Sequence, residues 1–185
     1  MAYIFDPDQL QETCKHNLDL PLEEKFEAIC DALDKRCPGR IPTKRRWVFS
    51  VAGGAMGMLT ILYGSMSEYL LFFGTPIPTG GYSGRYWADV YDIVLDGEMS
   101  CYTQGQLEPA IYKPGDMAYL KRGTDKGYHV KSRTWMLKYA RGFIPQMLPF
   151  GVLGSTVTTL DFRSMRQQFW DYGRLLMKET LKGKI

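Results

Sequence analysis

Asp92 is an acidic residue on the apolar face of a predicted strand, and it is the first candidate for chemistry in this sequence. The strand belongs to the run 79–97, which begins with a glycine-rich turn and ends at Gly97. Alternate residues of a strand point to the same side of a sheet. The residues that share the side of Asp92 are Tyr86, Ala88, Val90 and Val94. A carboxylate on such a face is costly unless it is paired. Asp92 is therefore either a structural hydrogen-bond hub or a working group.

Metal-ligating residues are too few and too scattered to form a centre. The chain has two histidines, His16 and His129. A metal inside a small β-barrel usually needs two or three converging histidines, and His16 lies in a predicted helix. The four cysteines have spacings that match no zinc or redox motif, and they are expected to be reduced thiols, as in a cytosolic protein. They are Cys14, Cys30, Cys37 and Cys101. We therefore predict neither a metal nor another cofactor.

The composition is that of a folded domain. The 185 residues are 45% hydrophobic and 14% aromatic, which predicts a single domain over 1–185. The net charge of +3 is small and the basic residues are spread along the chain, so no nucleic-acid partner is expected. The most apolar window, 53–73, contains Glu68 and a Gly64-Ser65 turn, which favours two adjacent strands over a transmembrane helix.

The elements that position Asp92 divide the chain into three parts. Residues 1–46 predict two helices, the first beginning at Asp6-Pro7. Residues 47–142 predict short strands separated by turn residues, as in a barrel or sandwich. On the strand that ends at Phe73, Tyr69 and Leu71 share the face of Phe73, whereas Glu68 points the other way and is expected to be structural.

Residues 143–185 return to helical patterns. An apolar segment begins at Pro145 and extends to about Gly154, and an amphipathic helix with a basic polar face follows Asp161. Two interpretations of this last helix remain open. It is a lid over the mouth of the barrel, or it lies in a membrane interface, where basic and aromatic residues are favoured.

Several motifs, in one order and over nearly the whole chain, resemble those of the fungal C-8 sterol isomerase and sigma-one receptor family. They include YIFDP at 3–7, WVF at 47–49, SEYLLFFGT at 67–75, SGRYWA at 83–88, TWM at 134–136, YARGFIP at 139–145 and LPFG at 148–151. The resemblance implies a mainly β fold, a cupin-like β-barrel with flanking helices. It also implies two C-terminal helices packed at the membrane, self-association into a homo-oligomer, and a hydrophobic small molecule enclosed in the barrel.

The family's reaction moves a ring double bond through a carbocation and is thought to use two acidic residues. By resemblance, one of these acids falls on Asp92. The resemblance also assigns seven residues to the pocket wall, and strand alternation independently places five of them on two inward faces. The seven are Tyr69, Leu71, Phe73, Tyr86, Val90, Leu148 and Tyr172.

The chain departs from the family pattern at Lys138, which stands where the family has the second acid, a Glu. Strand parity with Thr134 and Met136 predicts that Lys138 points into the barrel opposite Asp92. Such a pair keeps Asp92 ionised and places a positive charge where a carbocation would need stabilisation. Gly154 also replaces a family Asp, and we expect no counterpart of the family's N-terminal transmembrane helix.

Three functions remain open from the sequence, beside a purely structural ion pair. In the first, Asp92 is a base and Lys138 an acid or an anchor for a substrate oxygen, in an isomerisation or cyclisation of an apolar isoprenoid- or sterol-like molecule. In the second, a desolvated Lys138 acts as a base or forms a Schiff base. In the third, the barrel binds a lipid without catalysis. The expected location is cytoplasmic, or peripheral at the endoplasmic reticulum membrane through the C-terminal helices.

Overall fold

The computed structural model describes residues 3–149 and 159–184, and within this part ten strands supply the framework. The prediction of a mainly β fold preceded by two helices is confirmed. The strands are β1 (Val48–Ala52), β2 (Ala55–Gly64), β3 (Glu68–Thr75), β4 (Thr79–Tyr82), β5 (Ala88–Asp96), β6 (Met99–Tyr102), β7 (Ala110–Tyr112), β8 (Met117–Leu120), β9 (Gly127–Val130) and β10 (Thr134–Gly142).

The strands form two antiparallel sheets. Six strands follow the order β1-β2-β3-β10-β5-β8, and four follow the order β4-β9-β6-β7. The β-barrel predicted from the sequence is therefore built from two separate sheets whose inner faces pack together, and it is not a single closed cylinder. Strand length and alternation do not determine whether edge strands meet, because that depends on the twist and bulges of the assembled sheets. One register shift, between Trp135 and Met136 on β10, is such an irregularity.

β5 is covered on both faces of the larger sheet, and eight of its nine residues are buried. On its outer face, Tyr91, Ile93 and Leu95 pack in a core with residues of the two N-terminal helices. On its inner face, Val90 and Val94 belong to clusters in the interior of the β structure. Asp92 lies between these two valines, so the alternation predicted from the sequence is present.

Helices cover the outer face and one end of the sheets. They are α1 (Pro7–Lys15), α2 (Leu22–Arg36) and α3 (Phe162–Leu181). α1 begins as predicted, because the Asp6 carboxylate accepts a hydrogen bond from Gln9 N at 3.1 Å. α3 is the second predicted C-terminal helix. Where the first was predicted, a 3₁₀ turn spans Ile144–Met147, and residues 150–154 of that prediction lie outside the described residues.

The fully buried Glu68 ties the N-terminal segment and the end of α3 to the sheet. Its carboxylate accepts hydrogen bonds from Ile4 N at 2.9 and 3.0 Å and from Tyr139 Oη at 2.7 Å. It also lies 3.0 Å from Lys184 Nζ. The structural role predicted for Glu68 is therefore what the contacts show, and this carboxylate points away from Asp92.

Candidate functional site

Asp92 projects from the middle of β5 toward the interior, and its side chain is 1% exposed. In the antiparallel ladder, Lys138 of β10 is the residue directly paired with Asp92. Side chains of directly paired residues lie on the same face of the sheet. The predicted juxtaposition is present, with Lys138 Nζ 2.6 Å from Asp92 Oδ1.

A second ammonium group, which strand parity does not predict, reaches the same carboxylate. Lys126 Nζ donates a hydrogen bond to Asp92 Oδ2 at 2.8 Å. Lys126 lies in the loop just before β9, where its N–H donates to Ser83 Oγ at 2.9 Å and its carbonyl accepts from Ser83 N at 2.9 Å. The Lys126 side chain is also buried, with only 7% of it exposed.

Each oxygen of the carboxylate faces one ammonium group. Lys126 Nζ donates to Oδ2 at 2.8 Å, and Lys138 Nζ lies 2.6 Å from Oδ1. A carboxylate oxygen has about two acceptor sites, so each oxygen can still accept a proton or a further hydrogen bond.

Electrostatics keep this cluster charged. Burial raises the pKa of Asp92, but the positive charges of Lys126 and Lys138 outweigh that effect and hold the pKa well below its usual range. Burial likewise lowers the pKa of Lys126, and the Asp92 carboxylate more than offsets it, so the pKa lies above its usual value. Asp92 is therefore an anion at neutral pH and is suited to the role of base rather than acid.

An apolar cavity opens beside this cluster, between the sheets and α3. Six of the seven predicted wall residues line it: Tyr69, Leu71, Phe73, Val90, Leu148 and Tyr172. Further apolar walls come from Leu59, Ile61, Leu120, Ile144, Met147 and Phe169, and the polar lining includes Ser50, Ser83, Tyr128 and Gln168. A mostly apolar wall with a few convergent polar groups is typical of small-molecule sites.

Tyr86 is the predicted wall residue that does not itself line the cavity. It packs against an apolar cluster whose members Val90, Leu120 and Ile144 do line it. Tyr86 precedes β5, which begins at Ala88. Strand alternation does not fix the direction of a side chain outside the strand.

α3 closes the cavity at one end. The hydroxyl of Tyr172 donates a hydrogen bond to the carbonyl oxygen of Ser65 at 2.5 Å. The ring lies so close to Gly64 that a Cβ there would stand 2.9 Å from it. Gly64 thus leaves the room that Tyr172 occupies. The lid predicted as one role of this helix agrees with its contribution of Phe169 and Tyr172 to the cavity wall.

The described residues form neither a metal-ligand cluster nor a membrane-spanning helix. Within residues 3–149 and 159–184, no three His, Cys, Asp or Glu side chains come together as a metal site would require. No helix in that same part of the chain is both long and apolar enough to cross a bilayer.

The low pKa of Asp92 predicts an acid-dependent contribution to stability. A carboxylate whose pKa is lower in the folded state stabilises the fold above its unfolded-state pKa, about 3.9, and loses that effect as the pH falls. We expect the difference in free energy of unfolding between the wild type and Asp92→Asn to shrink from pH 7 to pH 3. Urea titrations across this range measure it. Asp89 and Asp161 also have lowered pKa values, but both variants share them. A difference that stays constant with pH would contradict the assignment.

Comparison with known proteins gives extensive matches. The family model described as "ERG2 and Sigma1 receptor like protein" matches residues 1–184. A sigma non-opioid intracellular receptor 1 from Taricha granulosa is 36% identical over 181 residues, 97% of this chain and 81% of the receptor. A C-8 sterol isomerase from Neurospora crassa is 39% identical over 190 residues, 99% of this chain and 73% of the isomerase. Among solved structures, an RmlC-like cupin from Shewanella frigidimarina aligns with a TM-score of 0.45 and 14% identity, over 54% of this chain and 85% of the cupin.

Proposed function

The chain belongs to the ERG2 and Sigma1 receptor-like family, and from this premise we propose that it is an isomerase. Its substrate is an apolar, sterol- or isoprenoid-like molecule held in the cavity, and its chemistry is acid–base catalysis of a double-bond isomerisation or a cyclisation. Relatives named C-8 sterol isomerase support the reaction class.

The proposal rests above all on the position of Asp92, a buried and ionised carboxylate in the wall of an apolar cavity, with Lys138 Nζ 2.6 Å from its Oδ1. A base must lie where an apolar substrate can present a C–H bond to it, with water excluded. A buried ionised group with a shifted pKa in the wall of a cavity is a candidate for function.

Asp92 and Lys138 divide the two halves of the reaction. The Asp92 carboxylate takes a proton from one carbon as the double bond shifts, and a proton returns to a second carbon. The composition of the substrate is unchanged. Asp92 is held ionised and has no proton to give at the start of the reaction. In one route, the proton for the second carbon comes from the Lys138 ammonium. In the other, Lys138 anchors a substrate oxygen while Asp92 carries the proton from one carbon to the other.

The second lysine argues against a free carbocation as the central intermediate. Two ammonium groups within 2.8 Å of Asp92 surround the site with more positive than negative charge. A positive charge that develops on the substrate in this poorly screened site is disfavoured by Coulomb repulsion from the ammonium groups. A reaction in which electron density builds on a substrate oxygen fits this cluster better.

The experiment is an incubation of the purified protein with a panel of sterols and isoprenoids, half of them carrying a carbonyl or carboxyl group. Products are identified by mass spectrometry, and deuterium from the solvent is traced into them. We expect isomeric products with one solvent-derived deuterium. Isomeric products that keep the hydrogen of the substrate would assign both proton transfers to Asp92, with Lys138 as the anchor, and no isomeric product from any member of the panel would contradict the proposal.

A second candidate is binding without catalysis. The observation in its favour is the lowered pKa of Asp92, which makes the carboxylate a weak base. The relatives named sigma non-opioid intracellular receptor 1 support a binding role in the family. Tight ligand binding with no product from any member of the panel is the result that would favour it.

The exposed face of α3 supports contact with a membrane surface. Trp170 is 69% and Leu181 87% exposed, and the helix also carries Arg163, Arg166 and Arg174. Apolar side chains beside basic ones favour a helix at an anionic interface. We propose that the protein binds peripherally to a membrane surface, as at the endoplasmic reticulum membrane.

We expect the purified protein to float with anionic vesicles in a density gradient. The double substitution Trp170→Ser with Leu181→Ser should weaken vesicle binding several-fold. Failure of the wild-type protein to float with the vesicles would refute the proposed membrane contact.

Self-association into a homo-oligomer, which the family resemblance implies, stays a prediction.

A further inference from the structure

The cluster at the centre of the cavity has an unbalanced charge. One carboxylate, Asp92, meets two ammonium groups, those of Lys126 and Lys138. Both lysine side chains are largely removed from water, with 7% and 21% exposed. A buried ionised group that lacks a counter-charge is expensive, so buried charges are normally paired.

The described cavity wall offers no second acid to balance the second lysine. Among the described residues that line the cavity, Asp92 is the single carboxylate. Residues 150–158, which the structure does not describe, have the sequence FGVLGSTVT and contain neither Asp nor Glu. The nearby buried Glu68 binds the N-terminal segment and Lys184 on the opposite face of the sheet. The missing negative charge is therefore not supplied by these parts of the protein.

The surplus positive charge faces the cavity at Lys138. Its Nζ lies 5.8 Å from the centre of the Phe73 ring and 5.9 Å from that of Tyr128. An ammonium group has three N–H donors, and Asp92 provides one contact to it. Burial raises the pKa of Tyr69 and of Tyr128, so both phenols stay protonated and face the cavity as further hydrogen-bond donors.

We infer that the ligand of this cavity is an apolar molecule with an anionic oxygen group, such as a carboxylate, which lies against Lys138 and completes the charge of the cluster. The apolar body of the ligand lies along the aliphatic and aromatic wall. The site discriminates against apolar amines, because an ammonium would add a third positive charge. This inference rests on the proposed function in one respect only, that the cavity is where the substrate binds.

Three twelve-carbon compounds test the inference on the unmodified protein: laurate, dodecanol and dodecylamine. They share a twelve-carbon chain and carry an anionic, a neutral and a cationic head group respectively. Their binding is measured by calorimetry at neutral pH, below micelle formation. We expect laurate to bind at least tenfold more tightly than dodecylamine, with dodecanol between them. Equal binding of laurate and dodecylamine, or tighter binding of the amine, would overturn the inference.

Two substitutions locate the effect. Lys138→Met leaves Asp92 paired with Lys126, and we expect it to weaken laurate binding about tenfold and to abolish the preference over dodecylamine. Lys131→Met is the matched control, since Lys131 is 65% exposed and pairs with Glu98 at 2.7 Å. It should bind all three compounds as the wild type does. A Lys138→Met protein that keeps the wild-type preference would also refute the inference.

The outcome separates this inference from the proposed function. If all three compounds bind equally and the substrate panel still yields isomeric products, the charge selection is wrong and the isomerase proposal stands. If laurate is preferred and no member of the panel is converted, the charge selection stands and the isomerase proposal fails. If none of the three binds, the charge selection is refuted, and the substrate panel alone then decides the isomerase proposal.

Discussion

Asp92→Asn is expected to lower the rate of product formation by about 10²–10⁴-fold, the usual contribution of a general base. Asparagine keeps the size of the side chain and its hydrogen-bonding oxygen, but it has no carboxylate to take the proton. Asp92 is the one carboxylate among the described residues that line the cavity. Steady-state product analysis measures the change.

Loss of activity alone does not separate chemistry from stability in this variant. Removing one partner of a buried ion pair typically costs about 3–5 kcal/mol, and Asp92→Asn leaves both lysines without their carboxylate. The double variant Asp92→Asn with Lys126→Met removes one of these unpaired charges. We expect it to recover part of the free energy of unfolding in urea and none of the activity.

Lys126→Met completes the comparison. It retains Asp92 and its direct partner Lys138, so product should still form. An Asp92→Asn protein that is folded and as active as the wild type would refute the assignment of Asp92 as the base. If activity instead tracked the free energy of unfolding through all three variants, the role of Asp92 would be structural.

Lys138→Glu is expected to reverse the preference of the cavity for charged ligands. The substitution changes the cluster from one net positive to one net negative charge, with Lys126 left between two carboxylates. Dodecylamine should then bind at least tenfold more tightly than laurate. Because position 138 is paired directly with Asp92 across β5 and β10, repulsion between the introduced carboxylate and Asp92 should raise the pKa of one of the two carboxyl groups.

A neutral carboxylic acid beside a carboxylate is the pairing that acid–base chemistry on a double bond can use in both directions. We therefore expect Lys138→Glu to create or increase isomerisation of C-8 sterols, measured as the ratio of double-bond isomers. Lys138→Gln is the matched control, since it removes the positive charge without adding an acid. It should lose the preference for laurate and gain no sterol isomerisation. An unchanged ligand preference in Lys138→Glu would show that this position does not set the charge of the site.

The central pair of the site could be predicted from strand alternation together with the family resemblance. Alternation places each of Asp92 and Lys138 on one face of its strand, the resemblance implies that the two positions face each other, and the structure pairs them directly. Period-two alternation is a property of each strand by itself, so it can be read without knowing the fold. The same rule placed Tyr69, Leu71 and Phe73 on the cavity wall. It does not apply to Tyr86, which lies before the strand begins and packs against the cavity wall without lining it.

Only the tertiary structure showed that Lys126 joins this pair. Lys126 lies in a loop, where no alternation fixes the direction of a side chain, and it is 34 residues from Asp92 in the chain. Its long side chain reaches the carboxylate because Ser83 holds the backbone at the entrance to β9, a contact between distant segments. The sequence by itself thus determined the family resemblance, the mainly β fold and the Asp92–Lys138 pair. The arrangement of the strands in two sheets, the closing of the cavity by α3 and the net charge of the site were decided by packing between segments far apart in the chain.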